Sequence, residues 1–144
     1  MMAGQVLRIV KRQILTGGTN IKASALGAET VLVSNIRTAD WKYLNLIVRL
    51  HSATWGGGTG AKCTFRLRNT APTDEDPVQS FQSTAAALVT TDFTSPQAAP
   101  FAQFPAQISD FGPFVNLTFE FFQGTTVDVT HTLNISADLV LRSS

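Results

Sequence analysis

The chain has 144 residues, of which 44% are hydrophobic and only 15% charged, with a formal net charge of +1. That length suits one domain with a real core, and no run approaches the ~18 apolar residues of a membrane span. A charged share well under the usual roughly 25% leaves much of the surface uncharged, as in a subunit covered by its neighbours or a soluble domain coated with Thr, Ser, Asn and Gln.

The small net charge hides an asymmetry. Ten of the eleven Lys and Arg residues lie at or before Arg68, against Glu29 and Asp40, while from Asn69 onward eight acids face Arg142 alone. Either strands from the two halves interleave and pair their charges across a sheet, or the subunit is basic on one side, acidic on the other, and packs head to tail. Cys63 is the single cysteine, which excludes an internal disulfide and fits a reducing compartment. The opening residues, MMAGQVLRIVKRQIL, lack the uninterrupted apolar stretch of a signal peptide. The sequons at Asn116 and Asn134 are therefore read as chance matches.

Taken in order, Gln5–Leu15 is ambiguous. Val6, Ile9, Val10 and Ile14 have helical spacing, yet the β-branched content favours a first strand. Arg8, Lys11 and Arg12 form a small basic cluster, either a solvated face or a surface that meets nucleic acid or an acidic partner. Three charges without interleaved aromatics argue against direct nucleic-acid binding. TGGTN (16–20) is a turn, followed by strands over Ile21–Leu26 and Glu29–Ile36.

The best-defined stretch is Asp40–Arg68. Leu44, Leu46, Val48 and Leu50 alternate with Asn45, Ile47, Arg49 and His51, and Cys63, Phe65 and Leu67 alternate with Lys62, Thr64, Arg66 and Arg68. With GGGTG between them, the two runs read as a long antiparallel hairpin. Trp41, Tyr43 and Trp55 sit at strand ends, either as rim residues or as a platform for stacking sugars.

NTAPTDEDP after Arg68 is a surface loop, and weak strands follow over Val78–Phe93. Ser95–Phe114 is the oddest segment, because Pro96, Pro100, Pro105 and Pro113 block continuous sheet while Phe101, Phe104, Phe111 and Phe114 argue against disorder. It is an extended loop that plugs its own sandwich or an arm that packs on a neighbouring subunit, and the arm is the expectation. Val115–Phe122 alternates as a strand. Val127–Leu141 keeps one phase for so long that a bend or bulge is expected near Asn134.

No catalytic constellation stands out. His51 and His131 sit in no nucleophile elbow or metal-ligand spacing, and GGGTG lacks the Lys-Ser/Thr of a phosphate loop. The chain is read as a non-enzyme with no cofactor and no metal.

From Glu29 to Pro77 the pattern ETVLVSNI, DW, LNLIVRLHS, a glycine turn and FRLRNTAPTDEDP resembles small β-sandwich proteins encoded among the virion genes of tailed bacteriophages. The ending ISADLVLRSS is similar too, and together these stretches make up 59 of the 144 residues. It implies a structural part such as a head decoration, cement, spike-base or tail component, made in the host cytoplasm and carried in the virion. Its implied partners are other copies of itself and a major capsid or tail protein, with no membrane. The expectation is thus a single all-β domain over 1–144, an antiparallel jelly-roll-like sandwich of about eight strands. Phe101, Phe104, Phe111, Phe114, Arg8, Lys11 and Arg12 are its candidate partner-binding residues. The alternative is a carbohydrate-binding module or lectin-like sandwich using Trp41, Tyr43 and Trp55.

Overall fold

Runs of alternating apolar and polar residues become strands throughout the computed structural model, which describes residues 4–17, 29–56, 60–70, 87–122 and 130–143. The strands are β1 (Gly4–Thr16), β2 (Thr30–Arg37), β3 (Tyr43–Thr54), β4 (Lys62–Thr70), β5 (Val89–Thr94), β6 (Phe101–Gln103), β7 (Phe114–Phe122) and β8 (Thr132–Arg142). There is no helix among the described residues. The expected strand at 21–26, the acidic loop at 71–77 and the phase at 127–129 lie outside them.

The strands form two four-stranded antiparallel sheets, ordered β1-β8-β3-β6 and β2-β7-β4-β5. The pairings nest: β1 with β8, β2 with β7, β3 with β6 and β4 with β5. Rolling this long antiparallel ribbon adds the β3–β8 and β4–β7 ladders and closes an eight-stranded jelly roll. One apolar cluster lies between the sheets. Leu44, Leu46, Val48 and Leu50 of β3 and Leu133, Ile135, Ala137, Leu139 and Leu141 of β8 face Cys63, Phe65 and Leu67 of β4 and Val115, Leu117 and Phe121 of β7, all essentially fully buried.

Four expectations need correction. First, Asp40–Arg68 is no hairpin, because β3 pairs with β8 and β6 whereas β4 pairs with β5 and β7. Both apolar series point at the same core from opposite sheets, so the two strands do not pair.

Second, the period-two alternation of β4 implies one solvated face, yet Thr64 and Arg68 on that face are buried. Glu29 lies over it and accepts hydrogen bonds from Arg66 Nη1 (3.2 Å), Arg68 Nε (2.7 Å), Arg68 Nη2 (3.0 Å) and Thr118 Oγ1 (2.7 Å). Arg66 also reaches Glu120 at 2.8 Å. Burial alone would raise the Glu29 carboxyl, but these donors outweigh it and hold it below its ordinary value.

Third, β8 runs unbroken. The irregularity opposite Asn134 belongs to its neighbour, where His51 is the extra residue between the Leu50–Ile135 and Ser52–Asn134 pairs. β1 carries two further shifts, between Arg8 and Val10 and between Val10 and Gln13. Fourth, 95–114 does not extend away as an arm. It holds β6 and is tied along its length to its own sandwich, through Ser95 N to Ala61 O, both Leu44–Ile108 bonds and Thr38 N to Pro113 O.

Candidate functional site

The nested topology makes β1 and β6 the two edges of one sheet. Arg8, Lys11 and Arg12 therefore stand at one edge and Phe101 and Phe104 at or just past the other. Segments some 90 residues apart in sequence share a sheet. Its outer face is built rung by rung: Val6–Val140–Asn45, then Arg8–Asp138–Ile47, then Ser136–Arg49–Ala102, then Ile14–Asn134–Ser52.

At the centre, Asp138 accepts hydrogen bonds from Arg8 Nε and Arg49 Nη1. Its side chain is 3% exposed, while Arg8 is 50% and Arg49 38% exposed. Burial would raise this carboxyl, but the two guanidiniums outweigh it and hold it below its ordinary value. These bonds, like Arg66–Glu120, join a base of the first half to an acid of the second. The interleaving reading of the charge asymmetry thus accounts for part of it. Lys11 and Arg12 are exposed.

His51, the extra residue of β3, bonds through Nε2 to Ser136 Oγ at 2.8 Å. Burial first, then the charges of Arg12, Arg49 and Arg8, lower its pKa, so the ring is neutral near pH 7. A Ser–His pair is the beginning of a nucleophile–base arrangement. Ser136 is fully buried, however, and the nearby carboxylate of Asp138 is committed to the arginines. Two shallow clefts flank β6. One of about 250 Å³ is lined by Asn45, Ile47, Val140, Phe104, Pro105 and Arg142, among others, and one of about 280 Å³ by Arg49, His51, Pro100, Phe101 and Ala102.

The remaining candidates are elsewhere. Phe111 packs against the core, and Phe114 opens β7 in the other sheet. Trp41 and Trp55 also pack against the core, and Trp55 Nε1 donates to Gln97 O at 3.0 Å. Trp41 and Tyr43 stand at the start of β3 and Trp55 beyond its end; twelve residues at ~3.3 Å each put them on the order of 40 Å apart. They do not form one stacking platform. His131 is a core residue, accepting from Gly56 N at 3.0 Å and lying between Trp55 and Phe121, with its pKa lowered by burial. Sequence reasoning passed over Asp138, Val6, Ile14 and Val140. The outward phase of β8 marks Asp138 and Val140, but only the ladder shows what they face.

An eight-stranded jelly roll with one exposed, basic and apolar sheet face defines the class. No family model matches the sequence, nor does any curated protein. Among solved structures, a chain of infectious bursal disease virus, Gt strain, superposes with a TM-score of 0.50 at 10% identity, over 98% of this chain and 32% of that one. The VP2 subviral particle of the same virus gives 0.48 at 12% identity, over 98% and 32%. The CBM36-1 domain of a multidomain xylanase from the hindgut metagenome of Trinervitermes trinervoides gives 0.44 at 9% identity, over 94% and 96%. The chain spans about a third of the length of the viral chains it matches. At these identities the likeness is one of fold.

Proposed function

We propose that this protein is a non-enzymatic structural component of a virion, acting through self-association and through binding a second virion protein. One observation carries the reading: where the large exposed hydrophobic side chains fall. Val6 (66% exposed), Ile14 (65%), Phe101 (40%) and Phe104 (66%) are those found among the described residues. All belong to, or directly follow, the edge strands of a single sheet. Fully burying one such side chain is worth about 1.5–3 kcal/mol, so a partner covering several gains enough to assemble. The basic residues beside them add direction to the contact.

In finer terms, the resemblance over Glu29–Pro77 supports a tailed-bacteriophage part, such as a head decoration, cement, spike-base or tail component, with a major capsid or tail protein as second partner. The closed Ser136–His51 pair fits a chain that does no chemistry. The lectin-like alternative draws on the same fold but finds its aromatics at opposite ends of β3.

Light scattering of the purified protein across a concentration series, run beside a glycan array, tests the proposal. Concentration-dependent oligomers without glycan retention are expected. A protein that stays monomeric throughout and retains a specific glycan refutes it.

A further inference from the structure

We infer that the outer face of the β1-β8-β3-β6 sheet receives the acidic run Asp74-Glu75-Asp76 of a second copy, in a head-to-tail contact. This rests on the self-association reading above and adds to it the surface, the segment and the polarity.

Charge complementarity carries it. Lys11 and Arg12 are exposed on the β1 edge and form no ion pair with the described residues. Arg8 and Arg49 present guanidiniums beside them, and Asp138 is a buried acid already engaged by both. The face is thus a basic surface set among exposed apolar side chains. Between Asn69 and Leu141 the sequence contains no Lys or Arg at all. Three consecutive carboxylates at 74–76 therefore have no basic neighbour in their own stretch. That run lies outside the described residues and enters here as sequence alone.

Topology favours a second copy over the same one. The run belongs to the β4–β5 connection, and β5 is the sheet edge that lies against β6, as the Phe93–Phe101 ring contact shows (6.2 Å between centroids). Lys11 and Arg12 stand on β1, the far edge of the opposite sheet. Three strand spacings separate β1 from β6, roughly 14 Å, with ~10 Å more between sheets. The described ends of that connection, Thr70 and Leu88, belong to the other sheet from Lys11 and Arg12, and a contact between two different surfaces of one chain repeats head to tail. Strands of 13, 11, 12 and 3 residues give a face on the order of 600 Å², the size each partner contributes to a small interface.

The test is a charge swap followed by sedimentation velocity over a concentration series. The samples are the wild type, K11E/R12E, D74K/E75K/D76K and an equimolar mixture of the two variants, with circular dichroism confirming the β spectrum of each. The wild type is expected to associate, each variant to associate at least tenfold more weakly, and the mixture to recover, since each reversed patch then meets its opposite on another copy. Wild-type association that neither variant shifts overturns this contact while leaving self-association standing. Variants that weaken without recovering when mixed overturn it too. A wild type monomeric at every concentration overturns both the contact and the self-association on which it rests.

Discussion

Replacing Asp138 by Asn removes the carboxylate that holds Arg8 and Arg49 on the outer face. Losing one partner of a fully buried ion pair costs about 3–5 kcal/mol, and a charge-assisted hydrogen bond contributes about 1.5–3 kcal/mol. Here the acid is buried, but its arginines are half and over a third exposed and can turn to water. The expected loss is therefore discounted to about 2 kcal/mol. For a chain of this length that lowers the thermal midpoint by roughly 6–8 °C. The measurement is urea unfolding of wild type and D138N, repeated from pH 7 downward. Because the folded carboxyl titrates below its ordinary 3.8, its contribution is fully present above that value and is lost as pH falls through the lower folded one. The gap between the two proteins should stay constant from neutral pH to about 5 and narrow below 3.8. Equal stability at pH 7, or a gap of unchanged size down to pH 3, would refute the electrostatic account and leave packing as the cause.

Two other outcomes separate core from contact. Phe104→Ser should change unfolding free energy by no more than about 0.5 kcal/mol while weakening association, whereas Phe101→Ser should cost about 1–2 kcal/mol because its ring packs edge-on against buried Phe93. A stability loss at Phe104 as large as at Phe101 would count against an exposed contact role. Cys63 is fully buried and burial pushes its thiol far above the usual range, so a thiol reagent should label it in urea and leave it untouched in buffer at pH 8; rapid labelling in buffer would contradict the β4 packing.

The sequence was legible wherever one face of a strand is buried and the other is not. The Leu44–Leu50 alternation announced β3 in this way, and Val115, Leu117 and Phe121 announced β7 although Asn116, Thr118 and Glu120 between them are buried as well. Alternation specifies which side faces the core but says nothing about the neighbouring strand. That is why two good strands joined by glycines read as a hairpin when they belong to opposite sheets. β6 escaped notice because three residues between prolines carry no period, and its pairing with Val48–Leu50 is made by backbone alone. The basic cluster of Arg8, Lys11 and Arg12 was visible as a local run. Its counter-charge was not, since Asp138 lies 130 residues away in sequence from Arg8. The large hydrophobics of β1 looked like one helical stripe, whereas its two register shifts send Val6 and Ile14 outward and Val10 and Leu15 inward.

The nested pairing also dictates when the molecule can fold. β8, last in chain order, is an interior strand that zips β1 to β3, so the first sheet has no middle until residues 132–142 exist. A ribosome that has delivered everything through β7 has released the apolar faces of β1 and β3 with nothing to join them. Closure then brings together segments separated by almost the entire chain, as where Gly4 meets Arg142. Ladders of such long range carry a large loop-closure cost, which places refolding in the slow, millisecond-to-second regime of all-β topologies. During that interval the unpaired edges are exposed to other nascent copies, and the bases and bulges of β1 guard the edge that waits longest for its partner.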